Sequence, residues 1–419
     1  METPTPPPTR RMGHSLAIAP FRNVFAAASV SALGAAISAV SVSWVVYHYT
    51  HSAIDIAYVG LVGVIPGIVL GLFAGVVADR YNRRSIMVAS DLARMAGIGL
   101  LAAFLFLVGF SLPLILGVML VVYSFSAMFT PASQAILPSF VPMDSLEDAN
   151  GLLQASTAVM NSVGAAAGGI AVVLVGAAWG LGINALTYAL SASFLIRVAA
   201  DWGRPRVEPS TAPRSGLRDA AEGFRYMRAH RPLLETVLLS LPINFLACLA
   251  LPFLVVYASI RFGGNPEVYG YLVATSAAGT ALGALSVGRI RARRFVGVLI
   301  AACILGLAGF VAVLALTHGL AIALAASVGI GVMVGLINTA FVSLVQAIVP
   351  REILARVLSI DSVGSTISIP AGLLVGGVLI GRYGIEFGFL VAAVGLAANG
   401  AAAIALKEFR SLRYGSAEA

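Results

Sequence analysis

The sequence predicts an all-α integral membrane protein whose twelve transmembrane helices form two six-helix halves, each a parallel repeat of the other. Three observations support this prediction: the composition, the number of long apolar runs and an internal duplication. Of the 419 residues, 59% are hydrophobic and only 11% are charged, and the mean hydropathy is +0.96. Because a soluble globular protein has about 25% charged residues, we expect most of this chain to lie in lipid.

Twelve apolar runs are long enough to cross a bilayer, which needs about 20 residues per helix. Lipid cannot satisfy the polar groups of the backbone, so these runs must be helices. We place them at residues 21–49, 56–78, 85–109, 112–130, 151–178, 181–199, 233–260, 268–288, 295–316, 320–349, 359–381 and 387–406. The runs divide the chain into a cytoplasmic tail at 1–20, six-helix bundles at 21–199 and 232–407, a cytoplasmic linker at 200–231 and a cytoplasmic tail at 408–419. Within the linker we expect an amphipathic surface helix over residues 217–229.

The duplication relates the two bundles at a constant offset of 208 residues. Val141 and Pro142 return as Val349 and Pro350, and five glycines of the first stretch meet glycines of the second. These glycines are Gly164, Gly168, Gly169, Gly176 and Gly180, which return as Gly372, Gly376, Gly377, Gly384 and Gly388. A repeat of this length is as large as a fold, far beyond the periods of solenoids.

The net charge of +8 is unevenly placed along the chain. If the N-terminus is cytoplasmic, only Arg261 and Arg382 of the 26 Lys and Arg residues fall in outward loops. The positive-inside rule then places both termini in the cytoplasm. The charge is explained by this orientation and by contact with anionic membrane lipids. We expect no nucleic-acid partner, because the Arg clusters are short and lack an aromatic-rich soluble module.

Several classes of chemistry are not indicated. Cys248 and Cys303 both fall inside predicted helices and are expected to be small apolar fillers. No cluster of His, Cys and acidic residues suggests a metal site, and no nucleophile elbow or phosphate-binding loop is present. We therefore expect a protein without enzymatic activity, cofactor or metal.

Residues 75–84 read Gly-Val-Val-Ala-Asp-Arg-Tyr-Asn-Arg-Arg between the second and third spans. This segment resembles the loop motif of the major facilitator superfamily. Trp44 and Tyr47, Pro66 and the segment 131–138, followed by Val141 and Pro142, further resemble the branch containing enterobactin exporters and macrolide-type drug efflux pumps. The resemblance implies the major facilitator fold and transport by alternating access.

The loop motif implies a gating role for its residues. Gly75 allows two helices to approach closely, and Asp79 can lie near the N-terminus of a neighbouring helix. We expect Arg80, Arg83 and Arg84 to pair across the seam between the halves, although the positive-inside rule alone would also explain them. Asn82 replaces the Gly of the motif and tolerates positive φ best after Gly.

Charged residues within spans have a high insertion cost, about 2.5 to 3.5 kcal/mol at a helix centre, and are often functional. Asp91 and Arg94 share a face of the third helix at i and i+3, which predicts either a structural ion pair or a proton site. Asp361 enters the eleventh helix. We hypothesise that it pairs with Arg80 or Arg83 when the cytoplasmic side is closed and that its protonation weakens this contact. The alternative is a local pair with Arg356.

The fifth helix carries Gly164-Ala-Ala-Ala-Gly168-Gly169, which resembles the family's antiporter motif with Ala165 in place of its proline. Close helix packing alone would also explain these glycines. Ala35 stands where relatives of the exporter branch place an Asp, which weakens the case for a carboxylate site in the first helix.

Polar and aromatic residues near the middle of helices that line the cavity in this fold are the candidate substrate contacts. They are Ser41, Trp44, Tyr123, Asn161, Asn244, Phe245 and Asn338. None is a carboxylate, which favours a neutral or amphipathic organic substrate, although each Asn could instead connect helices. His48 and His51 at the outer end of the first helix could sense pH or bind a metal, but an ordinary wet interface is the favoured interpretation.

Together these features predict a monomeric transporter of the plasma (inner) membrane that exports small organic molecules, such as drugs or siderophore-like metabolites, with protons as the coupling ion. An uptake permease or lipid transporter would share the fold. A membrane-embedded enzyme or a non-transporting receptor is the alternative from a different class.

Overall fold

The computed structural model describes residues 14–203, 225–228, 230–287, 296–349, 351–410 and 412. Within them, twelve helical spans are long and apolar enough to cross a membrane, as predicted. The N-terminal half contains α1 (Ala19–Thr50), α2 (Ala53–Arg80), α3 (Arg83–Leu107), α4 (Leu112–Ile136), α5 (Leu146–Val175) and α6 (Ala177–Ile196). The C-terminal half contains α7a (Arg231–Cys248), α7b (Leu254–Arg261), α8 (Pro266–Ser286), α9 (Val296–Leu316), α10 (Leu320–Ile348), α11 (Arg351–Tyr383), α12 (Ile385–Ala405) and the short α13 (Lys407–Arg410).

The seventh span differs from the single helix predicted over residues 233–260. It is broken between α7a and α7b by a 3₁₀ turn at Leu251–Phe253. Pro252 lies in this turn and has no N–H to continue the α-helical hydrogen bonds. The predicted span is confirmed at Leu233–Arg261, but apolar composition identifies a span without locating a break within it.

The predicted surface helix of the linker falls mostly outside the described residues. Residues 225–228 are helical, and residues 204–224 and 229 are not described.

Two of the duplicated glycines form equivalent turns. Gly176 joins α5 to α6 at φ 88° and ψ 162°, and Gly384 joins α11 to α12 at φ 87° and ψ 166°. Positive φ with extended ψ is a region that is essentially restricted to glycine. The duplication therefore conserves a backbone conformation at these two positions.

The helices of the two halves pack in equivalent ways. In the N-terminal half α1 contacts α5 and α6, α3 contacts α4 and α6, and α2 contacts α4. In the C-terminal half α7a contacts α11 and α12, α9 contacts α10 and α12, and α8 contacts α10. Between the halves the main contacts are α5 with α8 and α2 with α11, which are again related by the repeat.

The other duplicated glycines explain how these contacts form. A Cβ on Gly164 would lie 2.5 Å from the carbonyl oxygen of Leu33 on α1, and a Cβ on Gly372 would lie 2.4 Å from that of Phe245 on α7a. Both glycines thus let a helix approach the first helix of its own half. Small residues at such contacts are typical of packed membrane helices.

Gly169 and its repeat Gly377 instead face the opposite half. A Cβ on Gly169 would lie 2.9 Å from the Cα of Gly270 on α8, and one on Gly377 would lie 3.0 Å from the Cβ of Ala57 on α2. We call the end of the molecule where α1 ends and α2 begins the outer end, and the opposite end the inner end. Both contacts between the halves lie toward the outer end.

The buried apolar side chains are distributed differently at the two ends. The largest cluster includes both halves, with Ala57 of α2 and Leu373 of α11 among its members. Among the described residues, the two smaller clusters each belong to one half. One surrounds Phe21 and Met87, and the other surrounds Met227 and Val345. The halves therefore share a core toward the outer end and have separate cores at the inner end.

Candidate functional site

Each half contains a recess between its helices. The N-terminal recess has a volume of about 430 Å³ and the C-terminal recess about 380 Å³. The first is lined mainly by α1, α4 and α5, and the second mainly by α7a and α10, with Ser365 of α11. These are repeat-equivalent helices, so the two recesses are equivalent sites of the duplicated fold.

The correspondence extends to single residues at the offset of 208. The paired lining residues are Ala28 and Thr236, Ser31 and Leu239, Ala32 and Ser240, Ala35 and Ile243, Ser126 and Val334, Phe129 and Ile337, Thr130 and Asn338, Ser133 and Phe341, Gln134 and Val342, and Thr157 and Ser365. The duplication has thus preserved the shape of the site to the register of individual side chains.

The chemistry of the two recesses has diverged. Ser126, Ser133 and Gln134 of the N-terminal recess correspond to apolar residues in the C-terminal one. Beyond the shared positions, the N-terminal recess adds Arg94, Asn150 and Gln154, whereas the C-terminal recess adds Leu251, Ile300, Leu307 and Phe409. The N-terminal recess therefore has more polar lining residues and the only charged one among those described, whereas the C-terminal recess has more aliphatic residues and keeps Thr236, Ser240, Asn244, Asn338 and Ser365.

Arg94 and Asp91 form an ion pair beside the N-terminal recess. Asp91 is fully buried, and the Arg94 side chain is 6% exposed. One carboxylate oxygen of Asp91 accepts a hydrogen bond from the Arg94 guanidinium, and the other accepts one from the Ser191 hydroxyl of α6 at 2.6 Å. The carboxylate thus has a partner on each oxygen.

Aromatic rings hold the Arg94 guanidinium in place. The Cζ atom of Arg94 lies 4.5 Å from the ring centroid of Phe129 on α4 and 4.5 Å from the ring centroid of Tyr188 on α6. Cation–π contacts of this kind stabilise a desolvated guanidinium. Arg94 also donates to the Ser126 hydroxyl at 3.4 Å and to the Ser90 carbonyl at 3.4 Å. Three helices therefore fix one cationic group at the wall of the recess.

Four of the sequence-predicted contact residues line the recesses. Tyr123 and Asn161 line the N-terminal recess, and Asn244 and Asn338 line the C-terminal recess. The Asn244 amide donates to the Ser240 carbonyl of its own helix at 3.0 Å.

The other three predicted contacts lie elsewhere. Ser41 is fully buried, and its hydroxyl oxygen would lie 2.2 Å from a Cβ on Gly180, so it faces α6. Phe245 packs half-buried against the large shared cluster. Trp44 lies at the outer end. Ser41 and Phe245 point to other sides of their helices, whereas Trp44 lies too close to the outer end to reach either recess.

Trp44 takes part in the contact between the halves at the outer end. Its indole N–H donates to the carbonyl oxygen of Gly264, which follows α7b, at 3.3 Å. The His48 ring stacks on the indole with centroids 4.4 Å apart. His48 and His51 line an outer pocket with Ser259 and Gly263. Together with Gly169 and Gly270, these contacts close the outer end.

Comparison with known proteins then decides the family. Residues 14–416 match the family of transmembrane secretion effectors. The chain belongs to the major facilitator superfamily. The resemblance inferred from the loop motif is confirmed.

Among the relatives of this major facilitator are two drug exporters and one transporter without an assigned substrate. The multidrug efflux pump Tap of Mycolicibacterium fortuitum is 25% identical over 415 residues, covering 95% of this chain and 98% of Tap. Macrolide efflux protein A of Streptococcus pyogenes is 24% identical over 382 residues, covering 88% and 92%. The transporter YvqJ of Bacillus subtilis is 25% identical over 348 residues, covering 82% of each chain. The family and these relatives are transporters rather than enzymes.

Solved structures show the same fold at low sequence identity. The nucleoside transporter NupG aligns with a TM-score of 0.72 and 13% identity over 92% of this chain and 98% of its own. A bacterial homologue of the human lysosomal transporter Spinster, in an inward-facing and unoccupied conformation, aligns with a TM-score of 0.70 and 17% identity over 94% of this chain and 98% of its own. The predicted major facilitator fold is confirmed.

Two arginines of the loop motif have described contacts at the ends of neighbouring helices. Arg83 donates to the Ala135 carbonyl at the end of α4 at 2.8 Å, and Arg84 donates to the Ile196 carbonyl at the end of α6 at 2.7 Å. The contacts of both arginines with described residues thus lie within the N-terminal half, and their pairing across the seam stays a prediction. The last carbonyls of a helix lack partners within the helix and carry partial negative charge, which makes them good acceptors for Arg.

Asn82 also has a different role from the one that its position suggested. Its φ is −63°, so the tolerance of Asn for positive φ is not used. Its side-chain oxygen instead accepts from the Ser85 N–H at 3.1 Å as the N-cap of α3. Its amide donates to the Ala200 carbonyl at 2.8 Å, which ties the start of α3 to the segment after α6.

The remaining gating residues are described only in part. Arg80 is exposed at the end of α2, and Gly75 lies within the same helix. The side chains of Asp79, Arg356 and Asp361 lie outside the described residues, so their predicted pairing stays a hypothesis.

Sequence reasoning missed the residues that surround Arg94. Phe129, Tyr188 and Ser191 come from α4 and α6, far from Arg94 in sequence. Comparison of the two repeats could have identified two of them, because the aromatic Phe129 and Tyr188 correspond to the aliphatic Ile337 and Leu396. Positions where one half has aromatic rings and the other has aliphatic residues mark the divergence of the two sites.

Proposed function

We propose that this major facilitator is a proton-coupled exporter of small amphipathic organic molecules that works by alternating access. It lies in the plasma membrane as a monomer with both termini in the cytoplasm, the orientation that the positive-inside rule favours. The named efflux activities of Tap and macrolide efflux protein A support export as the direction.

One observation carries this proposal: two repeat-related recesses lie in halves that share a core only toward the outer end. A substrate between the recesses could be reached from the inner end, where the halves have separate cores. Rocking of the halves about the site would break the outer contacts and form inner ones, as in other transporters built from repeats.

Proton coupling is supported by the carboxylates that break the repeat. Asp79 and Asp361 correspond to the apolar Val287 and Leu153, so a symmetric scaffold does not require them. One elementary charge that crosses 100 mV releases about 2.3 kcal/mol, and this can support a concentration ratio of roughly 50-fold at 1.4 kcal/mol per tenfold. One proton per cycle would therefore be a sufficient driving force.

Transport in sided membrane vesicles tests the proposal. Inverted vesicles that contain the protein should accumulate amphipathic dyes when their interior is acidified, and a protonophore should abolish this accumulation. We expect Asp79→Asn and Asp361→Asn to reduce the initial rate by about tenfold or more, because each removes a carboxylate that could take up the coupling proton. Asp148→Asn, an exposed carboxylate of α5, is the matched control.

Uptake that ignores the pH gradient would disprove proton coupling. Accumulation only in right-side-out vesicles would show an uptake permease instead. Rates at the wild-type level in both Asn variants would remove the proposed role of the loop motif and of Asp361.

A further inference from the structure

The divergence of the two recesses carries an inference about the substrate. At equivalent positions, the N-terminal recess has Arg94 and the C-terminal half has Ala302, while Asp91 corresponds to Leu299. Among the described residues that line either recess, Arg94 alone carries a formal charge. A duplicated fold does not need this charge at either site.

We propose that the substrates are amphiphiles with an anionic headgroup, which Arg94 binds in the N-terminal recess while the apolar body occupies the C-terminal recess. This deepens the proposed function, because it names the substrate class of the same site. Among the described lining residues, no carboxylate could pair with a cationic headgroup.

The contacts of Arg94 leave it suited to this role. A guanidinium has five N–H donors, and it binds Asp91, Ser126 and Ser90 while facing the ring of Tyr188. The two rings cover its faces, and along its edge each nitrogen already donates one hydrogen bond, so a ligand anion must use the remaining N–H groups or displace Asp91. Planar N–H donors at such an edge match carboxylate, sulfonate and phosphate oxygens, and these charge-assisted hydrogen bonds are stronger than neutral ones.

Asp91 lies beside Arg94 and is not a lining residue of the recess. A ligand anion therefore competes with Asp91 for the same guanidinium. The charged or titratable groups near Asp91 are Arg94 on its own helix and Tyr188 on α6, while α4 contributes the uncharged Ser126 and Phe129. Neutralising Asp91 should strengthen anion binding.

This competition also has a consequence for coupling. A proton on Asp91 and an anion on Arg94 favour each other by linkage, so they would travel in the same direction. Antiport needs the opposite relation, in which the proton and the substrate exclude each other. The coupling proton of an exporter must then bind elsewhere, and Asp361 and Asp79 are the candidates.

Equilibrium binding to the purified full-length protein in detergent tests the inference without requiring transport. The probes are fluorescent pyrenesulfonate and its uncharged dimethylsulfonamide, which share the apolar body. We expect the wild type to bind the sulfonate at least about tenfold more tightly than the sulfonamide, a difference of about 1.4 kcal/mol. Asp91→Asn should increase affinity for the sulfonate several-fold.

Removal of Arg94 should abolish the preference for the anion. Arg94→Gln leaves the buried Asp91 without its partner and is expected to fold poorly. The neutral double variant Asp91→Asn with Arg94→Gln is therefore measured beside it, and its melting temperature is recorded. We expect the double variant to bind both probes equally. Arg197→Gln, which removes an exposed charge on the same half, controls for general electrostatic attraction.

Equal affinity of the wild type for both probes would overturn the inference, and so would a preference that survives in the double variant. Binding with the predicted preference but without transport in vesicles would instead disprove the proposed function and leave the anion site standing.

Discussion

At the residue scale, the Asp91–Arg94 pair is the most constrained feature of the N-terminal half. Both side chains are nearly excluded from solvent, and the pair is held by Ser191 and by the rings of Phe129 and Tyr188. Ion pairs in low-dielectric surroundings have a large desolvation cost that only good geometry can offset. Such a pair is stable as a unit and costly to disrupt by removing one partner.

Because losing one partner costs more than losing both charges, the ion pair predicts an order of stabilities among its variants. Arg94→Gln should destabilise the protein by about 3 to 5 kcal/mol, because an uncompensated carboxylate stays buried. The double variant Asp91→Asn with Arg94→Gln should be more stable than the single Arg94→Gln variant, since neither charge is then left alone. Thermal unfolding in detergent measures this order. A double variant less stable than Arg94→Gln would contradict the prediction.

At the element scale, the short helix α13 returns the chain to the C-terminal half after α12. The Phe409 N–H donates to the Glu235 carboxylate of α7a at 3.0 Å, and the Leu412 carbonyl accepts from the Val296 N–H of α9 at 3.1 Å. The Phe409 side chain is 1% exposed and lines the C-terminal recess. α13 therefore closes part of this recess at the inner end.

Phe409→Ala should destabilise the protein by about 3 to 5 kcal/mol, because it leaves a cavity where a buried ring was packed. Phe387 of α12 is 44% exposed, so Phe387→Ala is the matched control and should change stability much less. Melting temperatures in detergent compare the two variants. Equal shifts would show that α13 contributes little to the fold.

At the scale of the whole molecule, the proposed transport cycle makes the outer contacts between the halves the point at which the conformation is decided. Gly169 and Gly270 approach so closely that no side chain fits between α5 and α8. Alternating access requires this contact to open and close during each cycle. A side chain at either position should therefore favour the state in which the outer end is open.

Gly169→Leu should block transport and expose the recess to the outside, because the added side chain has no space when the outer end is closed. A cysteine at Asn161, which lines the N-terminal recess near the middle of α5, reports this change in a background that lacks Cys248 and Cys303. An impermeant maleimide applied to whole cells should label the reporter faster in Gly169→Leu. Gly182→Leu is the control, since a Cβ at Gly182 meets nothing within 4 Å, and unchanged labelling would contradict the prediction.

The sequence by itself determined the membrane class, the twelve spans and the duplication. These follow from composition and from a fixed offset, which need no tertiary information. The loop motif placed the chain in its superfamily, and four of the seven predicted cavity residues line the recesses, among them Tyr123 and Asn161.

Only the tertiary structure decided which side of each helix faces the recess. A helix in water shows its buried face by apolar periodicity. In a membrane, both the lipid face and the packed face are apolar, so that signal is lost. For this reason only the packed helices showed that Ser41 faces α6 and that the rings of Phe129 and Tyr188 cover Arg94. The hydrogen bond from Arg84 to the end of α6 was likewise visible only in the packed structure.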